Sequence, residues 1–103
     1  MNFENIVMDL IVRAGEAKSL AFEALAQARG GDFAKAEQLL ADSRAAGKLA
    51  HKVQTRLITM DGEGQPVPLS LVMIHAQDHL MDSMLAQDLI EEMIRLYQKM
   101  DNQ

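Results

Sequence analysis

The chain has 103 residues, of which 49% are hydrophobic, eight are Met and none is Cys, and its formal net charge is -5. This length suits one small domain, residues 1–103, and the abundance of Ala, Leu and Met over aromatic residues favours helices. The lack of Cys excludes disulfides, thiolate zinc sites and a cysteine nucleophile, and the acidic charge argues against a nucleic-acid partner because phosphate binding needs a basic face.

The N-terminal residues carry no recognisable export signal. Residues 1–5 contain neither Lys nor Arg, whereas a signal peptide starts with a basic segment. No uncharged run reaches the about 18 residues that a membrane-spanning helix requires. We therefore expect a cytoplasmic protein.

The first predicted helix spans residues 3–28. Its apolar residues recur at alternating steps of four and three, which is typical of a coiled-coil-like seam. The seam residues are Phe3, Val7, Leu10, Ala14, Ala17, Ala21, Ala24 and Ala28. Gly30 and Gly31 are predicted to end this helix, and the carboxylate of Asp32 can cap the next one by accepting a free N–H of its first turn.

The second predicted helix follows Asp32 and ends near Thr59. Its seam, which is rich in small residues, consists of Ala36, Leu39, Ser43, Ala46, Ala50, Val53, Leu57 and Met60. Residues 61–68 contain two Gly and two Pro and are predicted to form a loop. The third helix is predicted from about Leu69 to about Met100. Three long helices with short connections favour an all-α, antiparallel up-down-up three-helix bundle.

The third helix has more apolar surface than one bundle can bury. One of its sides is predicted to hold Leu69, Ala76, Leu80, Ile90 and Ile94, and another side Ile74, Met81, Leu85 and Leu96. Because a helix in a three-helix monomer needs only one apolar sector, this pattern predicts self-association through the third helix. The alternative is that Met and Leu overfill the core of a monomer.

A polar stripe, consisting of His75, Asp78, His79 and Asp82, interrupts this apolar helix. The spacing i, i+3, i+4, i+7 places the four side chains on one helix face. Ionisable groups in apolar surroundings are costly unless they are paired or functional, so the stripe is either a structural hydrogen-bond cluster or a site. By contrast, His51 on the second helix is more typical of a solvated or hydrogen-bonded histidine than of a ligand.

Two kinds of chemistry suit the polar stripe. A neutral imidazole is a good nucleophile near pH 7 and can carry a phosphoryl group. The stripe offers too few ligands for a closed metal site within one chain. If identical third helices met on a symmetry axis, one Asp from each copy would form a carboxylate ring that must be protonated or neutralised by a cation. Such a cation would also reduce the repulsion between these acids and an incoming phosphate.

The string His75-Ala76-Gln77-Asp78-His79-Leu80-Met81 strongly resembles the IIA component of the lactose/cellobiose family of the bacterial phosphoenolpyruvate-dependent sugar phosphotransferase system. The similarity includes residues 50–55 and 91–97 and covers essentially the whole chain. It implies that His75 accepts a phosphoryl group from phosphorylated HPr and passes it to a cysteine of the IIB component. IIB then phosphorylates a disaccharide such as cellobiose, lactose or chitobiose as the membrane component IIC transports it.

The resemblance further implies a homotrimer of three-helix subunits in which Asp78 of each copy meets the others around a divalent cation, Mg²⁺ being the first candidate. Gln77 and His79 match the motif and are possible supporting residues, as is Asp82 of the polar stripe. A histidine phosphotransfer domain is a weaker alternative because Asp78 and His79 stand where that class has Lys and Gly. A noncatalytic helical interaction module would explain the seams but not the polar stripe.

Overall fold

The computed structural model describes residues 3–102, which form three α-helices and no strand. The helices are α1 (Phe3–Arg29), α2 (Phe33–Gly62) and α3 (Leu71–Asp101). Ser43 is hydrogen-bonded to Gln87, and further along α2 Gln54 is bonded to Gln77, so α2 and α3 are antiparallel. The predicted three-helix bundle is confirmed, and it measures 56 × 20 × 20 Å. Within the described residues, no helix combines the length and hydropathy needed to cross a membrane.

The turn between α1 and α2 forms as predicted. Gly31 has a φ of 90°, a conformation that glycine adopts without the steric penalty of a Cβ. The Asp32 carboxylate accepts a hydrogen bond from the backbone N–H of Lys35 at 3.1 Å. Asp32 is therefore the N-cap of α2, as its position in the sequence predicted.

The predicted end of α2 is wrong by three residues. The helix continues beyond Thr59 to Gly62, and the chain turns at Gly64, which has a φ of 82°. The backbone N–H of Gln65 donates to the carbonyl of Met60 at 3.0 Å, which closes this turn. A single Gly in the last helical turn did not end the helix, because the left-handed residue that ends it comes two positions later.

The predicted start of α3 is also wrong. Ser70 has an extended backbone, and its hydroxyl oxygen accepts a hydrogen bond from the N–H of Met73 at 3.1 Å. Ser70 is thus the N-cap and the helix begins at Leu71. Leu69 precedes the helix and is 83% exposed, so its predicted place on the face of Ala76 is incorrect. At its other end, α3 extends one residue past Met100.

The core consists of two apolar clusters separated by a polar layer, which we define as Ser43, Ser83 and Gln87. All three of these residues are buried. Nε2 of Gln87 donates to both the carbonyl and the hydroxyl oxygen of Ser43 at 2.9 Å, and that hydroxyl donates to the carbonyl of Ala17 in α1 at 2.5 Å. The polar layer therefore ties all three helices together, and satisfying its polar atoms avoids the cost of burying them unpaired.

The seams predicted for α1 and α2 largely form the core. Every predicted α1 residue from Val7 to Ala28 is buried, and Phe3 packs against the first cluster. In α2, the buried seam residues are Ala36, Ser43, Ala46, Ala50 and Leu57. The seven-residue repeat thus predicted individual core positions, because it places them on the one side of each helix that faces its neighbours.

The second apolar side of α3 is exposed in the single chain. We define the apolar face of α3 as Ile74, Met81, Leu85, Leu89 and Leu96, which are 51%, 52%, 59%, 51% and 60% exposed. These side chains do not enter the core, so the alternative in which they overfill it is wrong. The structure leaves a long apolar face without a partner inside the chain, and self-association through it stays a prediction.

Arg44 links α2 to α3 at the surface. Its guanidinium donates to Asp88 at 2.9 Å and to Glu91 at 2.6 Å. The hydrogen bond to Asp88, with the charge of Glu91, raises the pKa of Arg44 although partial burial opposes this. A raised pKa means that the stabilisation is present below the ordinary arginine pKa and is lost only as pH rises through the higher folded value. The contribution of Arg44 is therefore constant through the neutral range.

Replacing a helical glycine by alanine adds a methyl group, and the structure indicates opposite effects of this change at Gly15 and Gly47. A Cβ at Gly15 in α1 would lie 3.5 Å from Nε2 of His79, which is an ordinary contact. A Cβ at Gly47 in α2 would lie 2.9 Å from Nε2 of Gln87, which is too close. Since Gln87 is buried and bonded to Ser43, it cannot move without breaking the polar layer.

We expect Gly15→Ala to raise the free energy of unfolding by about 0.5–1 kcal/mol through helix propensity. Gly47→Ala should lower it by about 1–2 kcal/mol, because a buried polar group loses its partner. Urea denaturation at one fixed chain concentration measures both. Equal stabilisation in the two variants would show that the polar layer is not tightly packed.

Candidate functional site

The polar stripe lies within the first twelve residues of α3. His75, Asp78 and Asp82 are exposed and His79 is half-buried. The helix is held at its start by the Ser70 cap and on its inner side by the buried residues that follow. The predicted common face is confirmed, and the structure places His75 where another protein can reach it.

His75 and His79 are stacked on each other. Their ring centroids lie 6.0 Å apart with an interplanar angle of 8°. His79 also approaches α1, since Gly15 leaves room there for its Nε2 atom. His79 therefore lies between α1 and the ring of His75.

Gln77 lies on the opposite side of α3 from His75, because helical positions that are two residues apart differ by about 200° around the helix axis. Its Oε1 accepts a hydrogen bond at 2.5 Å from Nε2 of Gln54 in α2. The same Nε2 lies 3.7 Å from Sδ of Met81. The structure thus brings His79 to His75 within one chain, whereas it directs Gln77 toward α2.

Asp78 lies among residues of the apolar face of α3. Ile74 precedes it by one turn, and Met81 and Leu85 follow on the same side. Within residues 3–102, Asp78 and Asp82 form no ion pair with a basic side chain, and no group of three or more His, Asp or Glu side chains could hold a metal ion. One chain therefore provides a single exposed carboxylate at this place rather than a metal site.

His51 is apart from the polar stripe. It is exposed on α2, and the segment of α2 that carries it packs on the Gln77 side of α3 through Gln54. His75 lies on the other side of that helix. The structure therefore agrees with the interpretation of His51 as a solvated side chain.

Comparison with known protein families identifies the family of this chain. The lactose/cellobiose-specific IIA subunit of the phosphotransferase system matches residues 5–98. The chain belongs to this family. The N,N'-diacetylchitobiose-specific EIIA component of Escherichia coli K12 is 54% identical over 98 residues, which are 94% of this chain and 84% of that protein. The resemblance stated from the sequence is confirmed.

Solved structures of IIA proteins have the same fold. The cellobiose-specific enzyme IIA from Bacillus anthracis superposes with a TM-score of 0.97 at 37% identity, covering 100% of this chain and 94% of that one. The IIA(chitobiose) chain in an HPr complex from Escherichia coli has a TM-score of 0.85 at 51% identity, covering 98% of each chain. This protein is thus a IIA component, which is a phosphotransfer protein of a sugar phosphotransferase system.

The contacts of two residues that lie against the motif could not be predicted from the sequence. Gly15 is a helical glycine 64 positions before His79, and Gln54 is a lone amide 23 positions before Gln77. Neither belongs to a periodic pattern, so their contacts follow only from how the helices pack. The family resemblance at residues 50–55 includes Gln54, but it does not indicate what Gln54 contacts.

Proposed function

We propose that His75 is the phosphoryl carrier of this IIA component. It accepts the group from phosphorylated HPr and passes it to a cysteine of a IIB component during uptake of a disaccharide such as cellobiose, lactose or chitobiose. The observation that carries this proposal is the exposed His75 within the family-matched residues, on a helix that holds the ring against His79.

The two transfers conserve atoms and protons. The unprotonated ring nitrogen of His75 attacks phosphorus, and an N–P bond forms as the bond between phosphorus and HPr breaks. The proton on the other ring nitrogen stays in place. In the second transfer the IIB thiolate attacks phosphorus, an S–P bond forms, and the N–P bond breaks to restore His75.

An apolar groove beside the polar stripe supports docking of a partner protein. It lies between the starts of α1 and α3 and is lined in part by Val7, Met8, Val72 and Met73. Met8 and Val72 are both 52% exposed, and Val72 lies one turn before His75. A docked protein that covers these side chains would bring its own phosphoryl group close to the imidazole. The structural relative bound to HPr is consistent with HPr as the donor here.

The proposed functional unit is a homotrimer assembled through the apolar face of α3. Asp78 lies on that face, so three copies would bring three carboxylates together. Carboxylate oxygens suit a hard divalent cation such as Mg²⁺, whose charge would offset the repulsion among them. The donor set therefore fits Mg²⁺ only when copies combine. When bound, the cation supplies charge neutralisation beside the phosphoryl carrier.

Phosphorylation by the donor proteins tests the carrier function. We expect incubation with phosphoenolpyruvate, enzyme I and HPr to add one phosphoryl group per chain, detected as an intact-mass increase that disappears on acid treatment because a phosphoramidate is acid-labile. Omitting HPr should abolish the increase. A wild-type chain that gains no mass in the complete mixture would rule out the carrier and leave the noncatalytic interaction module as the explanation.

A further inference from the structure

Positive charge is concentrated in the middle of α2. Residues 43–60 carry four of the ten Lys and Arg residues and none of the fifteen Asp and Glu residues. Arg44 uses its charge within the chain, in ion pairs with α3. The other three cations, Lys48, Lys52 and Arg56, recur every four residues and therefore share one face of the helix. We define these three residues as the basic row.

The basic row has no ionic partner inside the chain. All three side chains are exposed, and within residues 3–102 none of them forms an ion pair. Outside residues 43–60 the chain has six basic and fifteen acidic residues. A row of unpaired cations on an otherwise acidic molecule produces a local positive potential, and such a potential attracts a negatively charged partner.

The basic row lies on the α1 side of α2, away from α3. Gln54 of α2 is hydrogen-bonded to α3. Lys52 and Arg56 lie on the opposite side of α2 from Gln54, because helical positions that are two residues apart differ by about 200° around the axis. Arg56 also borders a cleft that α2 shares with α1. The basic row is therefore separate from the polar stripe, and assembly through the apolar face of α3 would leave it uncovered.

The cleft at the end of the basic row has an apolar lining. Ile6 of α1 and Val53 and Leu57 of α2 line it, together with polar side chains. One of these polar side chains is Asp9, and its charge is already offset by Arg13, whose Nε lies 3.0 Å from the carboxylate. The cleft therefore suits one apolar side chain of a partner, placed directly beside the last cation of the basic row.

We propose that the basic row and the adjoining cleft form a docking surface for an acidic helical segment of another protein. Carboxylates that recur every four residues on a helix rise by about 6 Å from one to the next, which matches the spacing of the basic row. One apolar side chain of the segment fills the cleft and supplies affinity, while the ion pairs set its orientation. This surface does not include His75, so the inference stands apart from the proposed function.

A narrow row favours a single helix over a wider anionic surface. Glu16 and Asp42 are exposed beside Leu49, which adjoins Lys48 in the sequence. A bilayer or a nucleic acid would cover these carboxylates together with the basic row, and its own negative charges would be repelled by them. A helical segment pairs with the basic row and leaves the carboxylates in solvent.

Binding of a designed peptide tests this surface. The probe is a fluorescently labelled, alanine-based peptide of about 16 residues, long enough to form a helix, with Glu at every fourth position and one Leu. Its anisotropy is measured against the full chain at low ionic strength, because salt screens exposed charges. We expect the combined variant Lys48→Gln, Lys52→Gln, Arg56→Gln to bind about tenfold more weakly than wild type, since three exposed ion pairs of small individual strength are lost.

A second triple variant controls for net charge. Lys18→Gln, Lys35→Gln, Lys99→Gln removes the same charge at positions outside the basic row, and we expect its affinity for the peptide to stay within about twofold of wild type. Both triple variants should keep the melting temperature of the wild type and its phosphorylation by HPr. Replacing the peptide's Leu by Ala should weaken binding about tenfold, because an apolar side chain no longer fills the cleft.

Three results would overturn the docking surface. The first is equal loss of peptide binding in the two triple variants, and the second is equal binding of a peptide in which every Glu is replaced by Gln. The third is tighter binding of phosphatidylglycerol vesicles or duplex DNA than of the peptide, which would make the partner a lipid or a nucleic acid. None of these results affects phosphorylation of His75, so failure of this inference and failure of the proposed function are distinguishable.

Discussion

We expect the His75→Ala protein to take up no phosphoryl group from phosphorylated HPr, and the His51→Ala protein to be phosphorylated like the wild type. We expect this contrast because only a side chain with a free nucleophilic nitrogen can form the N–P bond, and His75 is the exposed histidine of the polar stripe. Alanine removes the nucleophile itself, so the loss should be complete rather than partial. Intact-mass measurement of both variants gives the result directly.

The matched His51 variant makes this test specific. His51 is also an exposed histidine on a helix, so an effect common to any loss of histidine would appear in both proteins. Because His75 is exposed, its replacement should leave the free energy of unfolding within about 0.5 kcal/mol of wild type. Phosphorylation of a folded His75→Ala protein would contradict the assignment of His75 as the phosphoryl carrier. The carrier would then be one of the other two histidines.

We expect the Leu85→Glu protein to be monomeric at micromolar concentration and the wild type to sediment as the proposed trimer. Leu85 is 59% exposed in the single chain, so a glutamate there should be solvated and should leave folding of the single chain unaffected. Burial of the same carboxylate in an assembled apolar face would cost several kcal/mol per chain. Sedimentation equilibrium measures the difference, since each 1.4 kcal/mol changes an association constant about tenfold.

Leu49→Glu is the matched control for this experiment. Leu49 is 47% exposed on α2 beside Glu16 and Arg13 of α1, away from α3, and its replacement should leave the trimer intact. If the wild type is a monomer at micromolar concentration, assembly through the apolar face of α3 is wrong. If both variants are monomeric, the contact between copies does not depend on the apolar face of α3 alone.

The same measurement examines the role of Asp78. Three carboxylates near one axis repel one another unless a cation lies between them, so chelation of divalent cations should weaken the wild-type trimer. Asp78→Leu removes the charges, and the variant should remain trimeric with or without chelator. A wild-type trimer that is indifferent to chelation would remove the cation from the proposal without affecting the carrier function of His75.

The sequence predicted the helices of this protein better than their ends. The seams depend on a repeat that extends over many residues, and a long repeat is insensitive to any one of them. A helix end depends on one or two residues that compete to terminate it. Residues 61 and 62 were predicted to be loop, but Gly64 supplies the left-handed turn, and Ser70 rather than Leu69 sets where α3 begins.

The candidate site was predicted in part. The common face of His75, Asp78, His79 and Asp82 follows from helical spacing alone, and the family resemblance named the chemistry. Spacing also shows that Gln77 lies on another side of the helix, but not what it contacts there. That the amide is held by Gln54 depends on the packing of α2 against α3.

By itself, the sequence determined the three helices, the Asp32 cap, the shared face of the polar stripe and the apolar excess on α3. These features are encoded locally, by backbone hydrogen bonding, helical periodicity and capping. Only the tertiary structure decided that one apolar side of α3 remains exposed, that His79 lies near Gly15 and that Gln54 is hydrogen-bonded to Gln77. The physical reason is that these depend on which helix lies on which side of α3, and therefore on contacts between residues far apart in the chain.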